Sequence, residues 1–189
     1  MIKTIKKIFV LSALLVPTVV LAQVSPSVTG RAATLWAGGE YSNYAPDYGG
    51  GRLSGIGALI DFNATSKFGV VGEARWLRWG SASDSGETQS DYLAGVKYRF
   101  FRFHRFDFNA KFLVGGVWIN YPVNIGSGSY FAYEPGAHVD YHFARRFVVR
   151  GAYEYQVLPT APNIPPYPSN GLTPNGFSVG VLYSIFSTH

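Results

Sequence analysis

YEPGAHVDYHF, residues 133–143, separates by parity into two unlike faces. Its even positions carry Glu134, Gly136, His138, Asp140 and His142; its odd positions carry Tyr133, Pro135, Ala137, Val139, Tyr141 and Phe143. Successive side chains of a β-strand point to opposite sides, so the alternation predicts a strand with the ionisable groups on one face and the apolar groups on the other. His138, Asp140 and His142 are of the types that bind metal, and they share that face. Same-face neighbours stand about 6.5–7 Å apart along a strand, which puts the two histidines about 13 Å from each other, whereas ligands bind an ion at about 2 Å. The spacing therefore argues against a metal site on this strand. It predicts a polar stripe in which Asp140 meets a base, His138 hydrogen-bonds inside and His142 lies near a rim.

Working outward, the same period of two recurs in eight segments, roughly 32–42, 52–62, 68–79, 90–100, 106–118, 130–143, 147–157 and 177–186. The connections alternate in length. NYAPDYGGG, GSASDSGETQS, the stretch around NYPVNIGSGS and LPTAPNIPPYPSNGLTPNG are long and turn-rich; NATSK, FRFHR and ARR are tight. Long alternating with short is the connectivity of an antiparallel up-and-down β-barrel with one elaborated end.

One face of the eight segments collects Glu40, Asp61, Glu73, Arg75, Lys97, Arg99, Lys111, Glu134, His138, Asp140, Arg150, Glu154 and Gln156. The other is aliphatic in its middle, with aromatics gathered at both ends. Phe62, Phe68, Tyr98, Phe100, Phe108, Tyr141, Phe143 and Tyr183 fall near the short turns; Tyr41, Trp76, Trp118, Tyr133, Tyr153, Tyr155 and Phe177 fall near the long loops. Periodicity does not say which face is inside, since a soluble sandwich or lipocalin-type barrel would bury the apolar set and a transmembrane barrel the charged one. Three features favour the second. Aromatic belts around an aliphatic band match two lipid interfaces. The charged face is close to neutral, as an enclosed, mutually paired network requires. Finally, MIKTIKKIFVLSALLVPTVVLAQ has the basic start, apolar run and small-residue end of a secretory signal, predicting a signal peptide over 1–22 and a barrel over 23–189.

Removing that signal takes away Lys3, Lys6 and Lys7, so 16 − 3 = 13 bases face 11 acids, a formal charge of +2. A nucleic-acid partner then has no support in the charge balance. The chain has no cysteine, so an exported protein of this length is stabilised by packing or by lipid rather than by disulfides.

Segment by segment, WAGGEYS, ALIDF, EARWL, YLAGVKYRF, AKFLVGG, PGAHVDY, VVRGAYEYQ and the closing NGFSVGVLYSIF make the chain resemble the eight-stranded outer-membrane β-barrels of the OmpA/OmpX type. The resemblance covers essentially the whole mature chain and lies in the number and order of the segments. It implies an outer-membrane location in a cell envelope and a monomer bathed in outer-membrane lipid. Lipopolysaccharide or a surface partner would meet the long loops, and no cofactor is implied. One departure is at the end, where Phe186 is followed by Ser187, Thr188 and His189 instead of closing the chain on an aromatic.

Catalysis is not expected. Acyl-transfer chemistry at an outer membrane needs a histidine beside a nucleophile at the lipid face or in a loop, whereas His104 falls in a short turn, His138 and His142 on the charged face and His189 in the tail. The glycines at 49–51 and in GSGS lack a following Lys-Ser/Thr and support no phosphate cradle. Asn63-Ala64-Thr65 matches a glycosylation sequon, but a tight turn explains it. Lys67, Arg102, Arg105, Arg145 and Arg146 in the short turns fit either a solvated rim or contact with anionic headgroups. An eight-stranded interior is just wide enough to be filled by side chains, so Leu77, Leu93, Leu113 and the charges should plug it. Three functions stay open: a structural or surface-interaction protein displaying NYAPDYGGG and LPTAPNIPPYPSNG; a small gated pore in which Glu40, Lys97, Lys111 and Glu134 exchange partners; and a secreted soluble ligand-binding barrel.

Overall fold

The computed structural model describes residues 33–47, 51–79, 86–121, 125–163 and 170–187. Among them the regular elements are eight strands: β1 (Thr34–Ala45), β2 (Leu53–Asn63), β3 (Phe68–Trp79), β4 (Glu87–Phe103), β5 (Phe106–Asn120), β6 (Ser127–Ala144), β7 (Phe147–Tyr155) and β8 (Asn175–Ser187). They close into a barrel in sequence order, each strand antiparallel to the next and β1 pairing β8 across the seam. The predicted signal over 1–22 lies outside the described residues.

Each tight turn has a local cause. Between β2 and β3 the Thr65 hydroxyl accepts from the amides of Lys67 (3.3 Å) and Phe68 (2.9 Å), so the threonine of the apparent sequon caps a turn. Between β4 and β5 His104 takes φ 51°, a left-handed conformation that reverses the chain within two residues. Arg145 and Arg146 make the corresponding turn between β6 and β7.

The alternation resolves with charges inside. Ile56, Ile60, Val96, Val179 and Val181 on the outer wall are half exposed or more, with Ile56 at 66 %, while Arg75, Glu134 and Glu154 are fully buried. A barrel in water would not present such a continuous apolar wall. In lipid it satisfies both faces, because closure leaves no unpaired strand edge. The soluble ligand-binding barrel is thereby overturned. Apolar clusters share the interior with the charges: Tyr44, Leu53 and Leu77 toward the loops, and Leu59, Val148 and Leu182 with Trp36 packed on them.

Pro135 interrupts one ladder. β6 pairs β7 from Gly136↔Glu154 to Ala144↔Phe147, and pairing in the same register resumes only at the Tyr133↔Val157 bridge. Proline has no N–H to give the ladder. In the gap the chain turns its polar groups elsewhere: the Gln156 amide donates to the Pro174 carbonyl at 2.7 Å. Beyond it Leu158 pairs with Leu172, and the Gly171 amide donates to the Ala161 carbonyl at 2.9 Å. Leu158 and Ala161 are fully buried in a cluster with Val117, Ile119, Tyr121 and Tyr130. The base of the long proline-rich loop is thus folded onto the barrel mouth and not freely displayed.

Candidate functional site

The lumen is built in three tiers. In the half nearer the loops, Arg75 of β3 is the hub. It donates to Glu73 at 2.7 Å, to Glu134 of β6 and to the Tyr44 hydroxyl, and its Nε lies 3.5 Å from Glu40 of β1. Lys111 of β5 bridges Glu73 and Glu154, the latter at 2.8 Å. Tyr44 and Ser178 donate to the other oxygen of Glu154 at 3.1 and 3.3 Å. Gln156 donates to Glu134 (2.7 Å) and to Asp91 (2.9 Å), and Gln89 donates to Asp91 (2.9 Å) and to Gln156 (3.1 Å). Glu40, Glu73, Asp91, Glu134 and Glu154 here outnumber the cations Arg75 and Lys111.

Toward the turns the balance is closer. Arg150 grips Asp140 through Nε (2.7 Å) and Nη2 (2.9 Å) and reaches Asp61 of β2, which also accepts from Lys97 at 2.6 Å. At the rim Asp107 gathers Arg99 (2.9 Å), Arg102 (3.1 Å) and His142 (3.1 Å). The predicted pairing of Asp140 with a base is Arg150, and His142 is indeed at the rim. His138 departs from its expectation: buried, with both ring nitrogens lacking a hydrogen-bond partner among the described residues, it lies 3.7 Å from Asp140.

Glycines make the space. A Cβ on Gly136 would stand 2.9 Å from the Tyr153 carbonyl and 3.3 Å from Lys111 Cε; one on Gly57 would stand 2.9 Å from Glu40 Oε1. Two carboxylate-rich groupings form between strands, Asp61/His138/Asp140 and Glu73/Glu134/Glu154, with candidate ligand atoms within 4.8 Å of one another. Single-strand spacing does not foresee them. In each, a side-chain cation already stands against the carboxylates: Lys97 and Arg150 in the first, Lys111 and Arg75 in the second.

Arg99 lies at the turn-side mouth with its side chain 23 % exposed, donating also to the Ser66 carbonyl; the other residues of the predicted charged stripe are buried. Sequence reading missed Tyr44, Gln89, Asp91 and Asp107, all buried. Tyr44 and Gln89 fall in stretches it assigned to loops, because β1 runs on to Ala45 and β4 starts at Glu87. Asp91 and Asp107 share parity with Lys97 and Lys111, a signal that was there to use.

On the outside, Tyr41, Trp76, Trp118, Tyr133, Tyr153, Tyr155 and Phe177 of the expected loop-side belt are exposed, as are Phe62, Phe68, Tyr98, Phe100, Tyr141, Phe143 and Tyr183 of the expected turn-side belt, with Phe108 partly so. Tyr92 links Trp76 and Trp118 edge to face, at 6.2 and 5.5 Å between centroids.

Solved structures with this fold are outer-membrane barrels. Ail, the attachment invasion locus protein of Yersinia pestis, superposes with a TM-score of 0.52 at 16% identity over 82% of this chain and 99% of its own. Neisserial surface protein A gives 0.58 at 9% identity over 82% and 99%. The outer membrane protein OprG of Pseudomonas aeruginosa gives 0.51 at 10% over 82% and 96%. No protein-family model matches the chain, and no curated protein matches it in sequence. The fold is that of the eight-stranded outer-membrane β-barrels.

Proposed function

We propose that this outer-membrane barrel is a structural, surface-interaction protein: a non-catalytic rigid base that presents four loops outside the cell. The filled interior carries the reading. Arg75, Glu134, Glu154 and Gln156 are fully buried and hydrogen-bonded across the lumen, and Tyr44, Leu53 and Leu77 pack above them, so the barrel offers little through-path and the surface left for recognition is the loops. Ail, named for attachment and invasion, has the same kind of base; that likeness supports the scaffold and leaves the partner open. NYAPDYGGG remains a contact candidate, and Asp47 in it is tied to Thr173 of the last loop through the amide (2.9 Å) and hydroxyl (2.7 Å). Such a tie lowers the cost of ordering two loops together on binding.

One observation favours a second reading. The carboxylate excess in the loop-half tier suits a small, cation-preferring pore opened when Glu40, Lys97, Lys111 and Glu134 exchange partners. Planar-bilayer recording of the refolded protein separates the two. The structural reading expects silence or rare flicker. Steady cation-selective currents whose open probability shifts in Glu40→Gln or Lys111→Ala would replace it with the pore.

A further inference from the structure

Nearly all the described acids are buried, whereas most of the described bases are not. Of the eleven acidic residues nine are buried, Asp84 lies outside the described residues, and only Asp47, on the loop side, is exposed. The described exterior of the turn side therefore carries cations alone: Lys67, Arg102, Arg105, Arg145 and Arg146, all exposed. On the loop side the exposed described cations are Arg52 and Arg78.

Four of the five turn-side cations sit on two hairpin tips that pack together. A register shift between Arg99 and Phe101 sets Phe101 opposite Phe108 and Phe103 opposite Phe106. A second shift, between His142 and Ala144, leaves Phe143 and Phe147 stacked at 5.7 Å. Bulges of this kind re-aim side chains at a barrel rim. Phe106 meets Tyr141 at 4.8 Å, and the His142 amide donates to the Arg105 carbonyl at 2.9 Å, so the tips share one aromatic surface. Two of the four guanidinium groups are held beside it. Arg146 donates to the Tyr183 hydroxyl at 3.1 Å, and Arg102 is braced by Asp107 at 3.1 Å with its side chain still 56 % exposed.

We propose that this arc binds anionic phospholipid headgroups of the inner leaflet. Aromatic belts mark the edge of the hydrocarbon and lipid phosphates stand just beyond it, and these cations lie at the tight turns next to the turn-side aromatics. Short turns of such barrels face the periplasm, so the leaflet is the inner one. An acidic protein would find the charges but has no use for the flanking rings, which favours lipid as the occupant. The inference rests on the transmembrane reading.

Its test is lipid selectivity. The mature chain is refolded into phosphatidylcholine vesicles, and the immobilised fractions of spin-labelled phosphatidylglycerol and phosphatidylcholine are compared. Phosphatidylglycerol should be preferred about fivefold, the effect of one cation at an anionic surface, and the preference should shrink at molar salt. It should vanish in the quadruple variant R102Q/R105Q/R145Q/R146Q and persist in R52Q/R78Q. If the quadruple variant does not fold, R105Q/R145Q, at two exposed positions of the arc, should still halve the preference. Equal binding of both lipids by wild type, a preference that survives the quadruple variant, or one lost in R52Q/R78Q overturns the proposal. A protein that never enters the vesicles would instead defeat the transmembrane reading.

Discussion

Lys111 shows what a single residue does inside this barrel. Its ammonium is enclosed between Glu73 and Glu154, and Gly136 leaves the space it occupies. Deleting one partner of a buried pair leaves charge without compensation, so Lys111→Ala should destabilise the barrel by about 3–5 kcal/mol. Val114→Ala on the outer wall should change stability by less than about 1 kcal/mol. Urea unfolding of both in lipid vesicles checks the contrast; equal midpoints would mean that Lys111 is solvated. Pairing Lys111→Ala with Glu73→Gln should recover part of the loss, because the carboxylate stranded by the first change is neutralised by the second. At this scale the sequence told which face a residue occupies but not its partner. Arg75 and Glu134 stand 59 positions apart, and only the curvature of the closed sheet brings them together. His138 shows the same limit from the other side, since parity placed it inside without showing that its ring nitrogens would lack partners among the described residues.

Among the elements, the segment after β7 behaves least like its composition. Proline, glycine and asparagine mark the stretch from Leu158 as loop, and its reading as a displayed loop follows from that chemistry. Yet Val157 exchanges both backbone hydrogen bonds with Tyr133 (3.0 and 2.8 Å), and Leu158 exchanges both with Leu172 (2.8 and 3.0 Å). Hydrogen exchange in vesicles should find the amides of Val157, Leu158 and Leu172 slowed about tenfold or more relative to free chain. Leu158→Ala, which empties a fully buried site, should lower that protection while leaving β1–β8 protected. Free-chain exchange at all three amides in wild type would return the segment to the status of an open loop. The strands themselves were legible because each needs a half-apolar surface with a period of two, and that constraint is written residue by residue. Strand ends were less so: nothing local in GSASDSGETQS signals that β4 already begins at Glu87.

For the molecule as a whole, the first question is which end faces out. The chain has no cysteine, so single substitutions report cleanly. A membrane-impermeant maleimide added to intact cells should label Thr160→Cys and spare Arg145→Cys until the envelope is permeabilised; the reverse pattern would invert the barrel. The lumen network also bears on how such an object can be made. Its bonds join strands that are not neighbours: Asp61 of β2 with Arg150 of β7, Arg75 of β3 with Glu134 of β6, and Lys111 of β5 with Glu154 of β7. At the seam, Ser42 of β1 meets Ser178 of β8 at 2.9 Å. A sheet still open within hydrocarbon would bare these groups singly, and each would carry a desolvation penalty of several kcal/mol. Assembly by adding strands one at a time in the bilayer is therefore closed to this chain. The inner face must stay wetted until the first and last strands join, and the event that seals the cylinder is the same one that neutralises its contents.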